Sequence, residues 1–290
     1  MIKRNKLYYH MKPYNILLLL ILVGMFFCTS CADSENNHVN SSLKLIPAKI
    51  DVEYEASNRH TYTYKYDGDN RLVEYVETSL YGNNTGLEDM ETRCKIVYND
   101  ENNIDTLIIS PRLLEDYADI DNSLYELIND TVMFEYQGQE VTVKYKKKKD
   151  EKILINPNRE VVRYEYYGGI DNELKITNTY EYDDQGNILR IVINNGVDQP
   201  YIPYTYTYDK RNGIYKNVNI PQWFMAIMLD QRFNMSNNYK EYWDVDGYKW
   251  TMEYSYDKND YPVFMKVRGD ENREMRMVEA YTTFDYIYAE

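Results

Sequence analysis

Apolar and polar residues alternate with a period of two along most of this chain. In the clearest stretch Tyr204, Tyr206 and Tyr208 are separated by Thr205 and Thr207, so the tyrosines share one face of a strand and the threonines the other. Asp209 to Gly213 then supplies turn chemistry: Asp and Asn side chains bond nearby amides, and Gly takes positive φ at little cost. With Ile214 and Tyr215 the unit predicts a strand, a tight turn and a returning strand. It recurs in degenerate form. Tyr62 to Val76 turns at Asp67-Gly68-Asp69-Asn70, Ile96 to Ile109 at Glu101-Asn102-Asn103, and Val132 to Val143 at Gln137-Gly138-Gln139. Val161 to Ile176 turns near Gly168-Gly169, Tyr180 to Ile193 at Asp183 to Asn187, and Tyr254 to Val267 through Asp257 to Asp260. The longest alternation sets Tyr248, Trp250, Met252, Tyr254 and Tyr256 against Lys249, Thr251, Glu253 and Ser255. Asp244-Val245-Asp246-Gly247 turns into it from Tyr239 to Trp243.

Three stretches break this rhythm. Ser110 to Asp116 and Ser123 to Ile128 have helical spacing. Asn219 to Leu229 predicts a better helix, with Asn219 as cap, Pro221 in the first turn, and Trp223, Phe224, Ile227 and Met228 as its apolar face. A sheet with one apolar face must have that face covered. The expected fold is all-β: an antiparallel meander forming a single curved sheet or an open, barrel-like one, with one or two short covering helices.

The N-terminus does not belong to this pattern. Lys3, Arg4, Lys6 and Lys12 precede an apolar run from Ile16 to Phe27, too short for a membrane span of about 20 residues and suited to a signal-peptide core. Cys28-Thr29-Ser30-Cys31 follows and resembles the lipobox of bacterial lipoproteins, although Cys28 stands where an aliphatic residue is usual. The resemblance implies cleavage after Ser30 and acylation of Cys31. Residues 1–30 are then a signal peptide, 31–42 a polar tether and 43–290 the β domain. The expected location is the outer membrane, lipid-anchored, at its periplasmic face or on the cell surface. Asp33 and Glu35 behind the lipidated position are similar to surface-export signals.

Loss of residues 1–30 removes four basic residues and no acidic one, so the formal charge of −14 becomes −18. That excess argues against nucleic acid as a partner, since phosphate binding needs a basic surface. It also argues against adhesion to anionic lipid, so the acyl chains are the expected attachment to membrane. Cys94 is the one cysteine beyond Cys31, and its strand setting predicts a small buried hydrophobe. His38 and His60 are the remaining histidines. With so few partners, Ser/Cys-His catalysis and Cys/His zinc sites are not expected, and no cofactor is implied. The acidic pairs Asp183-Asp184, Asp244 with Asp246, and Asp257 with Asp260 fall where turns are needed, so the turn account is preferred over calcium or a glycosidase pair. An enzyme is not expected.

The pattern Tyr-x-Tyr-Asp-x-x-Gly/Asn-x-Leu/Ile, seen at 64–72, 180–188, 206–214 and 254–263, resembles the YD repeats of RHS-type proteins. Joined to the lipobox, it is similar to repeat-bearing bacterial lipoproteins of unknown function. The resemblance covers most of the mature chain and implies architecture, not activity. The functional lead is aromatic wealth: 33 tyrosines, three tryptophans and seven phenylalanines. Trp223, Trp243, Tyr248 and Trp250, with Phe224, lie close enough in sequence to suggest a platform on which sugar rings stack. Against this, tyrosine is a favoured strand residue. Two readings follow: a glycan or nutrient-capture accessory that binds polysaccharide, or an envelope module that binds another protein and uses its tyrosines only as architecture.

Overall fold

The structure is a computed structural model, and its described residues are 44–54, 58–81, 89–113, 130–168, 173–229, 235–244, 247–269 and 280–289. The lipidation motif at Cys31, the tether and the predicted helix at 123–128 lie outside them.

Sixteen strands follow one another in sequence: β1 Leu45–Tyr54, β2 Arg59–Tyr66, β3 Leu72–Leu80, β4 Met90–Tyr98, β5 Ile104–Leu113, β6 Asp130–Gln137, β7 Glu140–Lys144 and β8 Glu151–Ile155. They continue with β9 Val161–Gly168, β10 Leu174–Tyr182, β11 Ile188–Asn194, β12 Tyr201–Tyr208, β13 Tyr239–Trp243, β14 Lys249–Tyr256, β15 Pro262–Arg268 and β16 Ala280–Tyr288. Every strand pairs antiparallel with its sequence neighbours. β1 also pairs with β16, from Leu45 opposite Tyr288 to Tyr54 opposite Ala280. The sheet is therefore a closed barrel, not the open or merely curved sheet expected. Alternation fixes which face turns inward but not whether the two edges meet, and closure leaves no edge exposed.

The inward face is apolar and aromatic. Tyr62 and Tyr64 of β2 are buried while the alternating Thr63 and Lys65 are exposed, and the same alternation fills the lumen with Ile50, Leu72, Ile96, Leu107, Phe134, Ile153, Tyr180 and Met252. The outward face is charged. Lys65 pairs with Glu74 at 2.6 Å, Glu74 with Arg93, Arg93 with Glu91, and Glu91 with Arg112, which links β2 through β5. Further pairs tie β7 to β8 (Glu140–Lys152), β9 to β10 (Glu165–Lys175), β10 to β11 (Glu181–Arg190), β13 to β14 (Glu241–Lys249) and β14 to β15 (Glu253–Arg268). Each exposed pair stabilises by no more than about 1 kcal/mol, but their distribution leaves a wall dressed for water.

One device recurs at the end of the barrel where even-numbered strands finish. A tyrosine near the end of an even strand donates its phenol proton to a carbonyl at the start of the preceding odd strand; in β14 this is Tyr254, while the terminal Tyr256 donates to Asp209. Tyr66 donates to Pro47, Tyr98 to Leu72, Tyr136 to Ile104, Tyr182 to Val161, Tyr208 to Ile188, Tyr254 to Tyr239 and Tyr286 to Pro262, at 2.6–3.0 Å. A buried phenol needs such a partner. β8 departs from the series, with Ile155 at its end.

An Asx residue after β2, β4, β8, β10 and β14 builds the turn. Asp67, Asn99, Asn156, Asp183 and Asp257 each use Oδ1 to accept the amides two and four residues ahead, at 2.8–3.0 Å. The fourth residue of each turn has positive φ: Asn70, Asn102, Arg159, Gly186 and Asp260. This uses up the acidic side chains at Asp183 and Asp257 as backbone acceptors.

The sixth sequence unit is where the hairpin is interrupted. After Tyr208 the chain does not return at once: residues 209–229 enter this end of the barrel, and β13 begins only at Tyr239. Within them Ile214, Tyr215, Val218, Ile220, Trp223, Phe224 and Met225 are all buried in the core. The single helix among the described residues, α1, spans Gln222–Ile227, shorter than the predicted 219–229. Pro221 holds its N-cap position with no side-chain cap bond, while Asn219 donates its side-chain amide to the Asp69 carbonyl. The helix plugs the barrel instead of covering a sheet. Ser110 to Leu113, predicted as helical, is the end of β5; residues 114–116 lie outside the described residues.

The turn geometry explains why the plug docks there. A residue at positive φ swings its carbonyl out of the strand ladder, and four such carbonyls meet the inserted segment. Asn70 O accepts from Asn219 N, Arg159 O from Trp223 N, Asp260 O from Asn212 N, and Gly186 O from the side-chain amide of Gln222.

Candidate binding cleft

Between the turn ring and the plug lies an open cleft of about 290 Å³. The β8–β9 turn contributes Asn158, Arg159 and Glu160, the β2–β3 and β4–β5 hairpins contribute Arg71, Tyr98 and Asn102, and the plug contributes Lys216, Asn219 and Gln222. The volume sits near the lower limit for small-molecule sites.

Arg71 is committed to structure. It bonds Asp67 at 2.6 Å, reaches Asn102 Oδ1 at 2.6 Å and lies 4.8 Å over the ring of Tyr98. Burial opposes the charge on Asp67, but the Arg71 guanidinium and two turn amides outweigh it and hold the carboxyl below its ordinary value. Arg159 is different: it donates to the neutral Asn103 Oδ1 at 3.1 Å. Lys216 donates to the neutral Asn212 Oδ1 at 2.9 Å. Sequence reasoning missed this pair. The available signal was Asn156-Pro157-Asn158-Arg159-Glu160, a turn with arginine where its counterparts carry Asn, Gly or Asp.

The four residues proposed as an aromatic platform are not brought together. Trp223 is 1% exposed within the plug, edge-on to Phe134 and Phe224. Trp243 alternates with the lumen-facing Tyr242 and stands on the outer wall, with the Lys249 ammonium 5.5 Å over its ring. Trp250 is buried inside the barrel, stacked on Tyr242 at 5.7 Å. Tyr248 follows Gly247 in the hairpin turn and donates its amide to Asp244.

Two polar clusters inside the barrel also escaped the sequence. His60 Nδ1 lies 3.0 Å from Ser79 Oγ and 3.3 Å from Glu77 Oε1, among the rings of Tyr54, Tyr62 and Tyr81. Both contacts fall on one nitrogen, whereas a catalytic relay places hydroxyl and acid on opposite nitrogens. Glu151, 1% exposed, accepts from the phenols of Tyr145 and Tyr164, with Lys148 at 3.5 Å. It is a buried carboxylate satisfied by its neighbours.

Cys94 faces the lumen at 6% exposure, and burial, then the nearby Glu77, pushes its thiol up to about 12. Thiol reagents are therefore expected to leave Cys94 unmodified in the folded protein and to react once denaturant is added, as mass spectrometry of the Cys94 peptide would record. Labelling at the same rate with and without denaturant would contradict that burial.

No protein-family model matches the sequence, and no curated protein matches it. Several solved structures match the chain. A porin-like protein from Bacteroides uniformis ATCC 8492 superposes with a TM-score of 0.50 at 12% identity, over 83% of this chain and 97% of that one. A porin-like protein from Bacteroides vulgatus ATCC 8482 gives 0.35 at 10%, over 84% and 99%. TcdB2-TccC3 without its hypervariable C-terminal region gives 0.30 at 10%, over 80% of this chain and 14% of that one. At such identity the first likeness speaks for the fold alone: an all-β barrel of the kind seen in a porin-like protein.

Proposed function

We propose that this chain is a non-catalytic binding protein, held at the outer membrane by acyl chains on Cys31, whose barrel stands in water beside the membrane and does not span it. The observation that carries this reading is the girdle of ion pairs around the outer wall. A transmembrane barrel presents an apolar band about 25 Å tall, and each Lys or Arg on its lipid face at mid-depth costs about 2–4 kcal/mol. Here Lys65, Arg93, Lys152, Lys175, Arg190 and Lys249 all lie on that face. The filled lumen and the plug likewise favour a packed core over a channel. The repeated Tyr and Asx turn chemistry supports kinship with YD-repeat hairpins.

The test is folding without lipid. Residues 43–290, made without the signal and tether, are expected to fold in detergent-free buffer with a cooperative unfolding transition, and Cys31→Ser in the full chain is expected to release the protein from membranes. Folding only in micelles, or ion conductance across a planar bilayer, would instead make it a spanning barrel of the porin kind.

A second reading, an envelope protein as partner, is favoured by one patch. Val97, Ile108 and Met133 are 43%, 36% and 52% exposed on neighbouring strands of the outer wall. Their replacement by Thr would abolish co-purification of such a partner.

A further inference from the structure

We infer that the cleft between the β8–β9 turn and the plug binds a carboxylated saccharide, with Arg159 and Lys216 as the oxyanion donors. This rests on the reading of the chain as a binding protein and names the ligand class.

Conformation comes first. Arg159 has φ of 62°, and the counterpart positions carry Asn70, Asn102, Gly186 and Asp260, residue types that tolerate the left-handed region. An arginine gains nothing there from its backbone. The carbonyl that Arg159 gives to Trp223 N could come equally from glycine, at lower conformational cost. The side chain is thus the part that needs a reason. Its bond to Asn103 engages one of five guanidinium donors.

Charge comes second. The chain carries −14 overall, a field that repels anions, and cations along its wall are matched by carboxylates across neighbouring strands. Arg159 and Lys216 face one cleft and, among the described residues, neither forms an ion pair. The Glu160 carboxylate beside them is held by the side-chain amide of Asn156 at 2.6 Å.

Lining chemistry comes third. Asn102, Asn158 and Asn219 offer amides that both donate and accept, which suits hydroxyls. The Tyr98 ring is occupied by Arg71 and does not offer a stacking face. A ligand with a carboxylate flanked by hydroxyls meets all three conditions, whereas a neutral sugar meets only the third and finds no ring to stack on. The source could be a free sugar acid or a uronate residue within a polysaccharide, and the probes below separate them.

The experiment is titration calorimetry on the full-length protein in mild detergent, with glucuronate, an oligogalacturonide, glucose and inorganic phosphate, on the wild type, Arg159→Gly and Lys216→Gln. The inference expects an acidic sugar to bind and glucose and phosphate to bind at least about tenfold more weakly. Each variant is expected to lose about tenfold or more in affinity. Tighter binding of the oligomer than of the monomer identifies a polysaccharide, and the reverse a free sugar acid. Arg159→Gly is also expected to melt at the same temperature as wild type or higher, because glycine relieves the left-handed strain. A fall in melting temperature with affinity intact would make Arg159 a tie between turns and overturn the inference. So would equal binding of glucose, equal binding of phosphate, which marks a generic anion site, or no binding of either sugar acid at millimolar concentration. Detergent-free folding would still stand in that last case, so the ligand class and the water-facing barrel fail separately.

Discussion

Raising the pH above 10 is expected to unfold this protein in one steep step. Tyr62, Tyr64, Tyr75 and Tyr164 of the wall and Tyr215 of the plug are buried at 2–8% exposure, and burial raises the phenol of each above its ordinary value of 10.0. Neighbouring groups add to this: Glu77 acts on Tyr62 and Tyr75, and Glu151 on Tyr164. The fold thus prefers the neutral phenol. Below pH 10 both states hold the proton and the stabilisation is complete. Between 10 and the raised folded values the unfolded chain releases protons that the folded chain keeps, so stability falls as pH rises. Each group contributes about 1.4 kcal/mol per pH unit, and five together about 7 kcal/mol per unit. A whole domain is stable by only about 5–15 kcal/mol, so one to two units suffice. Tyrosinate absorbance and far-ultraviolet circular dichroism should change together in a single transition. Gradual tyrosine ionisation with the sheet signal intact two units above pH 10 would show the lumen open to hydroxide and sink the account.

Trp223→Ala is expected to lower stability by about 3–5 kcal/mol, the range for removing a large buried aromatic. Trp223 is 1% exposed, its ring lies 5.5 Å from Phe134, 5.6 Å from Phe224 and 6.4 Å from Tyr136, and its amide ties the plug to the Arg159 carbonyl. Phe134 and Tyr136 stand on a closed barrel and cannot collapse inward to fill the space. Urea unfolding measures the loss directly, and Trp223→Phe should recover part of it. A loss under about 1 kcal/mol would mean that the plug is not part of the cooperative core.

Most of the wall was legible in the sequence because its signal is local. A tyrosine alternation with an Asx turn behind it marks the hairpins β2 to β3, β4 to β5, β10 to β11 and β14 to β15, and a glycine turn marks β6 to β7 and β9 to β10, whereas after β12 the same Asx signal leads into the plug. β8 carried no such mark. Its end holds Ile155 in place of the clamping tyrosine, and it is the one even strand that lacks the clamp. The cleft was less legible. Arg159 is conspicuous only once its backbone conformation is known, and Lys216 faces the same cleft only because a plug carries it there. The proposed aromatic platform assumed that nearness in sequence places side chains on one surface. Instead Trp243 and Trp250 take opposite faces of the wall, as period two dictates once strands pair, and Trp223 leaves the wall altogether.

The chain by itself determined the strand content, the antiparallel order, the inward set of tyrosines and the turn residues, since all of these follow from the period-two pattern and from side chains reaching only two to four residues along the backbone. Tertiary structure decided that β1 finds β16, that residues 209–229 fold inward as a plug, and that Arg159 and Lys216 share a cleft. These depend on the sum of twist and register over sixteen strands and on carbonyls that turn inward only when the turns sit in a ring. No single segment carries that information.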